Sequence, residues 1–240
     1  MKAVIISLCI VILGFGVFFA VKEFHLLVDD PAKQSFADNL QQAEEGDVLA
    51  QYKVGRMYAQ GFGVKQDKNK ALEWYTKSAN QGHRIAQDQV GYFYESGIGV
   101  KKDIEKAVEW YTKAAEQGLI RDQLILAYLY TTGDGIPENE EMAAYWNAVA
   151  AKQGNLHAMV SLGICYFNGE GVQKDLIQAA DLFHKAAVGG LAVAQYNLGL
   201  CYAYGDGVPL DRETAIHWLK KASDQGYKKA AKALKKIYGL

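Results

Sequence analysis

Two hydrophobic patterns run along this chain. Residues 3–21 form an uninterrupted stretch without a charge, bracketed by Lys2 and by Lys22 and Glu23. From about residue 35 onward, apolar positions recur at helical spacing in blocks separated by glycine-rich turns. As a helix rising about 1.5 Å per residue, the first stretch would reach about 28 Å, close to the ~30 Å of bilayer hydrocarbon, and it predicts one membrane crossing through residues 3–21. A cleaved signal peptide is the alternative, although its apolar region usually runs only ~7–15 residues before a small-x-small site. Phe18 fits badly before a cut after Ala20, and Gly14-Phe15-Gly16 is an imperfect second site. Positive charge before the stretch comes from Lys2 and the amino terminus, while Glu23, Asp29 and Asp30 offset Lys22 behind it. Counted as Lys and Arg alone the two sides are equal, so the amino-terminal charge decides, placing the N-terminus in the cytoplasm and the remainder across the membrane, in the periplasm of a Gram-negative bacterium or the lumen of a eukaryote.

The second pattern repeats every 36 residues. Residues 50–85 align without a gap to 86–121, 122–157, 158–193 and 194–229; a sixth copy begins at Ala230, and Phe36–Gly46 matches the second half of a copy. The expected organisation is a signal anchor or signal peptide at 1–22, a linker at 23–34 and a repeat domain at 35–240.

Within a copy the spacing predicts helix, loop, helix. In the first copy Ala50, Val54, Met57 and Tyr58 make a buried stripe that ends at Gly61. After Gly-x-Gly-Val, Asp67 stands where a helix N-cap belongs, and Asp103, Asn139, Asp175 and Asp211 repeat it. The second helix is expected to bury Ala71, Trp74, Tyr75, Ser78 and Ala79 and to close at Gly82. All four tryptophans share one column, which reads as core rather than as a cofactor cage. Tyr58, Tyr94, Tyr130, Tyr166, Tyr202 and Tyr238 form another, with hydroxyls expected to bond within the helix pair. Glycines 55, 91, 163 and 199 lie inside the first helix, where a missing side chain lets two helices approach and offsets a helix penalty of ~1 kcal/mol.

Composition narrows the function classes. Half of the residues are apolar, enough for a folded core, and 26 basic against 27 acidic residues leave a net charge of -1, without the basic footprint of a nucleic-acid binder. Three cysteines with no CxxC pair supply neither a disulfide framework nor a cysteine-based zinc site. Cys165 and Cys201 fall in one apolar column and read as free core thiols, because equivalent positions in stacked helices lie ~9–10 Å apart, beyond disulfide reach. The five histidines scatter over different columns with no metal spacing, and no serine sits in GxSxG or SxxK. The expectation is therefore no catalytic residue, no metal and no cofactor.

Copy 86–121, with Gly91, Tyr94, Gly97, Gly99-Val100, Asp103, Lys106-Ala107, Trp110-Tyr111, Lys113-Ala114-Ala115 and Gln117-Gly118, resembles the Sel1-like repeat, a relative of the tetratricopeptide repeat. Copy 122–157 departs most, at Asp122, Ala127, Pro137 and Asn147, and is expected to be locally irregular. The resemblance implies an all-α fold, a right-handed α/α superhelical solenoid of five full copies and partial end copies behind an N-terminal transmembrane helix. It also implies a concave face that serves as a scaffold for other proteins. Lys232, Lys235 and Lys236 would give the last helix a polar outer side.

Columns that vary between copies are candidate contacts. On the first helices they supply Tyr52, Arg56, Tyr92, Glu95, Tyr128, Ile164, Phe167, Tyr196 and Leu200, an aromatic-rich strip of the composition found in interface anchors. Packing between neighbouring first helices is the alternative use of those side chains. The functional expectation is a membrane-tethered, non-catalytic scaffold in the bacterial envelope that holds a protein or peptide. Alternatives carried by the resemblance are an immunity protein against a secreted lipase-type toxin and a β-lactam-binding or hydrolysing enzyme.

Overall fold

The computed structural model of the chain describes residues 30–239. The apolar stretch at 3–21, with Cys9, lies outside them, and among the described residues no helix is long and apolar enough to cross a membrane. The described residues form twelve α-helices and no strand: α1 Pro31–Glu44, α2 Val48–Gln60, α3 Lys68–Asn80, α4 Arg84–Ser96, α5 Ile104–Glu116, α6 Ile120–Thr132, α7 Glu140–Lys152, α8 Leu156–Asn168, α9 Leu176–Val188, α10 Ala192–Tyr204, α11 Arg212–Asp224 and α12 Lys228–Ala233, the last continuing as a π turn over Leu234–Tyr238. They fall into two compact bodies divided after Gln81, the first holding α1–α3 and the second α4–α12. α1 opens inside the expected linker, because Asp30 accepts the Ala32 N–H and Pro31 is pre-set for a first helical turn.

The boundaries follow the cap chemistry. Asp103 accepts the Lys106 N–H at 3.0 Å, and Gly97, at φ 68° in the left-handed region, sends its N–H back to Phe93 to end α4. The loop between them is clasped by one recurrent bond: the N–H of the capping residue donates to a tyrosine carbonyl, Asp103 to Tyr94, Asp175 to Tyr166 and Asp211 to Tyr202, each at 2.9 Å. The tyrosine column thus fixes the helix pair through its main chain, where the sequence pattern had suggested its hydroxyls.

The core lies one column beside the tryptophans. Tyr75, Tyr111, Phe183 and Leu219 are buried on the second helices, with Ala86, Ala107, Ala179, Ala194 and Ala215 fully enclosed beneath them. Of the four tryptophans only Trp146 is buried. Trp74, Trp110 and Trp218 are half-buried, and Lys77, Lys113 and Lys221, one turn on, place their ammonium groups 3.8, 4.0 and 4.8 Å from the ring centroids. Trp146 has Val149 at that place and is enclosed instead. The expectation of a tryptophan core is corrected accordingly: these rings roof the core, and lysine stems cover them.

Copy 122–157 is regular. Its helices α6 and α7 have the 13-residue length of their counterparts, Gly133 ends α6 at φ 66°, and Asn139 caps α7 through the Met142 N–H at 3.0 Å. Two of its departures, Ala127 and Asn147, compensate one another, both being buried where other copies pair a glycine with a large side chain.

A ladder of glutamine pairs adds a buried polar seam. Gln117 Nε2 donates to Gln87 Oε1 at 2.7 Å and to the Gly82 carbonyl at 3.0 Å. Gln153 donates to Gln123 at 2.8 Å, and Gln123 in turn to the Ala115 carbonyl at 2.9 Å. Gln225, Gln195 and Ala187 repeat the chain, and Gln81, Gln51 and Ala43 repeat it in the first body. Each chain satisfies a carbonyl near the end of one copy with a side chain from the next, which is how buried amides earn a place in an apolar seam.

Candidate functional site

In the second body the outward faces of the first helices form a row of shallow grooves. Between α6 and α8 a cavity of about 340 Å³ is lined by Leu124, Tyr128, Ser161 and Ile164 among others. Between α8 and α10 a cavity of about 310 Å³ is lined by Ile164, Phe167, Phe183, Leu200, Cys201 and Tyr204, with Asn168, Asn197 and Asp206 at its polar margin. Between α10 and the end of the chain a third, about 280 Å³, is lined by Tyr196, Leu200, Tyr204, Lys229, Lys232, Lys236 and Ile237. Neighbouring grooves share residues, Ile164 for the first two and Leu200 with Tyr204 for the last two, so they run on without a break.

Five of the nine predicted contact residues therefore come together: Tyr128, Ile164, Phe167, Tyr196 and Leu200. Tyr128 is 60% exposed and Ile164 40%, large for apolar side chains on a packed helix. Tyr92, on α4 of the same body, is also exposed. Glu95 is already engaged, accepting the Tyr111 hydroxyl at 2.5 Å. Tyr52 and Arg56 belong to the first body, where Tyr52 is half-buried with its ring 5.7 Å from that of Tyr75 and Arg56 is exposed. Tyr196 leans on Tyr227 at 5.3 Å, which adds packing to whatever else it does.

Two features were absent from the sequence reading. The first is Tyr204, 60% exposed and shared by the last two grooves, together with a lysine wall on α12 and its extension. Lys232 and Lys236, expected on an outer cap surface, line the groove together with Lys229. Their i, i+3, i+7 spacing was the available signal.

The second is a buried acidic pair. Asp122, fully buried, and Asp88, 4% exposed, face each other in the second body, and Arg121 Nη1 lies 2.9 Å from Asp88 Oδ1 while donating to Oδ2 at 3.1 Å. Gln89 also donates to Asp88 Oδ2 at 2.8 Å, but with both acids ionised neither Asp122 oxygen has a donor. One proton held by Asp122 and shared with Asp88 resolves this. Burial first, then Asp88, pushes the Asp122 carboxyl far above the ordinary carboxylate range, against the pull of Arg121. The sequence signal was Asp122 in a column that is alanine in every other copy.

Cys165 and Cys201 are free thiols, Cys201 buried and Cys165 half-buried at groove margins. Burial pushes the Cys201 thiol up to about 12, with Asp206 adding to the effect, which leaves it un-ionised and unreactive at neutral pH. Among the described residues no group of three or more His, Cys, Asp or Glu side chains is arranged to hold a metal ion.

A family model, the Sel1 repeat, matches residues 48–83, 84–119, 121–155, 156–190 and 192–227. The chain belongs to the Sel1 repeat family. Each Sel1 window opens at or within a residue of the start of a first helix. The crystal structure of c5321, a protective antigen of uropathogenic Escherichia coli strains with the same repeat fold, is 33% identical and covers 86% of this chain and 44% of its own, at a TM-score of 0.76. A Sel1 repeat protein from Oxalobacter formigenes is 33% identical over 91% of this chain and 87% of its own, at a TM-score of 0.64. The sel1-like repeat-containing protein L18 of Acanthamoeba polyphaga mimivirus is 37% identical over 68 residues, 28% of this chain and 12% of that protein. The chain thus spans under half the length of the antigen and about an eighth of the viral protein.

Proposed function

We propose that this Sel1 repeat protein is a non-catalytic scaffold that holds a protein or peptide segment along the first-helix grooves, tethered to a bacterial inner membrane through residues 3–21 with its repeats in the periplasm. The observation that carries the reading is the continuity of the three grooves, with exposed Tyr128, Ile164 and Tyr204 along a path joined by shared lining residues. Apolar side chains left in water in a row, rimmed by polar ones, are the composition of a docking surface. Sequence motifs for a serine nucleophile or a metal-dependent hydrolase are lacking, which supports binding rather than turnover. The tether rests on the uncharged length of residues 3–21, and the bacterial setting is supported by the two bacterial structures above.

The test is site-specific photo-crosslinking in the host. A photoreactive residue at 128, 164 or 204 is expected to trap one partner that a probe at Glu109, on the far side of a helix pair, does not. With the probe at 164 or 204, Tyr92→Ala with Tyr128→Ala should abolish that capture. Equal capture from both faces, or none, overturns the groove. Fractionation tests the tether separately: the full chain should sediment with membranes, and deletion of residues 3–21 should release it.

A further inference from the structure

We propose that the α8–α10–α12 end of this surface takes an acidic peptide segment carrying a large apolar anchor, a specificity that rests on the scaffold reading above and deepens it. Two neighbouring cavities of opposite chemistry point to it. The cavity of about 310 Å³ between α8 and α10 is lined mainly by apolar side chains, Ile164, Phe167, Leu200 and the buried Phe183, and stands at the lower edge of the ~300–1,000 Å³ range of ligand sites. It opens past Leu200 and Tyr204 into the cleft of about 280 Å³ whose far wall is Lys229, Lys232 and Lys236. These three share one helical face, and between Gln225 and Leu240 the chain has five lysines and no Asp or Glu. The positive field on that wall is therefore uncompensated by its own element, and carboxylates are its complement.

A peptide fits better than a polyanion. Asp206 lines the apolar cavity and Glu170 the groove before it, so a continuous phosphate backbone or an anionic bilayer would meet carboxylates one step from the lysines. A peptide can place an apolar side chain beside Asp206 and its acidic residues only against α12. The Asn197 side-chain amide, on the same wall, has both a donor and an acceptor for an extended main chain.

The experiment selects phage-displayed random dodecapeptides on the full chain, then measures the synthesised winners by fluorescence anisotropy in low and high salt. Winners are expected to carry Asp or Glu beside a large apolar residue. Affinity should fall at least about tenfold in the Lys229→Gln, Lys232→Gln, Lys236→Gln variant, the product of three contacts each of exposed ion-pair size. High salt should weaken binding likewise, and Tyr204→Ala should weaken it in any salt. The lysine changes lie on the surface, and an unchanged circular dichroism melt confirms their fold. Winners without acidic enrichment, unmoved by the lysine changes but lost in Tyr92→Ala with Tyr128→Ala, would overturn the acidic specificity while leaving the scaffold standing. No selectable peptide, or binding indifferent to every groove variant, overturns both. Lysine-dependent binding of phosphatidylglycerol vesicles or of oligo(dT) as tight as that of the best peptide overturns the proposal in favour of a polyanion patch.

Discussion

Gly163 lies flat against the ring of Phe183: a Cβ built on the glycine would stand 2.6 Å from Cε1, closer than any real contact. The same relation joins Gly91 to Tyr111 at 2.8 Å, Gly199 to Leu219 at 2.8 Å and, in the first body, Gly55 to Tyr75 at 2.6 Å. Where the second-helix partner shortens to Asn147, the first helix carries Ala127, and both are buried. The helix pair therefore has one volume to share between two positions, which copies fill as glycine plus a large side chain or as alanine plus asparagine.

Gly163→Ala alone should destabilise the protein by ~1–3 kcal/mol, the usual cost of overpacking, despite the better helix propensity of alanine. Phe183→Ala alone leaves a cavity and should cost ~3–5 kcal/mol. Because the second change removes the atom that the first collides with, the double variant should be more stable than the sum predicts by ~1–2 kcal/mol. Chemical denaturation of the four proteins measures that coupling, and strict additivity would refute the shared-volume account.

Asp122 makes stability fall as pH rises. Its folded carboxyl holds a proton that the unfolded chain has released, so the contribution is present in full below the ordinary carboxylate range and is lost as pH climbs from there through the raised value. The facing groups are Asp88, which opposes ionisation, and Arg121, which favours it. Asp122→Asn keeps a donor for Asp88 without a titrating proton, and should flatten the decline of the unfolding midpoint between about pH 4 and pH 8. A variant with the slope of the parent would mean that Asp122 is not the group responsible.

Much of this fold was legible because the sequence states it five times. A period of 36 residues, an Asp or Asn cap in every copy and a glycine after every first helix locate the helices without tertiary information. What stayed hidden depends on which helix face meets which neighbour. Tryptophan column and ring column are adjacent in sequence, and only packing tells that Tyr111 is enclosed while Trp110 is roofed by Lys113. Asp122 was visible as an exception among alanines, but its meaning required Asp88, 34 positions earlier, to be set opposite it. The site divides in the same way. Variable columns marked Tyr128, Ile164 and Leu200, whereas Lys229, Lys232 and Lys236 face α10 through a stacking contact that no single copy encodes.

The glutamine ladder predicts a second compensating pair. In the copy that holds α8 and α9 both partners change together, Met159 and Gly189 standing where Gln195 and Gln225 stand in the next copy. Gln195→Met should remove one of two donors from the Ala187 carbonyl, which keeps the Gly190 N–H at 3.0 Å, and leave the Gln225 amide short of an acceptor, at a cost of ~1–3 kcal/mol. Adding Gln225→Gly reproduces the pairing that the protein already uses and should recover part of that loss. If the double variant is no better than Gln195→Met in urea denaturation, the two positions are independent.

His83 carries a pH dependence of the opposite sign. It caps α4 with its ring, Nδ1 accepting the Ala86 N–H at 3.1 Å, which only the neutral imidazole can do. Burial and then the neighbouring Arg84 hold its pKa below the ordinary histidine value. The unfolded chain therefore takes up the proton first, so the cap contributes fully above about pH 6.5 and is lost as pH falls through the depressed folded value. Asn155 performs the same task for α8 with a side chain that does not titrate, accepting the Ala158 N–H at 2.9 Å. His83→Asn should accordingly match the parent at pH 8 and exceed it at pH 5 by up to ~1 kcal/mol, the scale of one N-cap. Comparing the two proteins at each pH cancels the opposite trend from Asp122, which both retain. An advantage that is constant across the range would assign the gain to asparagine as a better cap and remove the proton from the explanation.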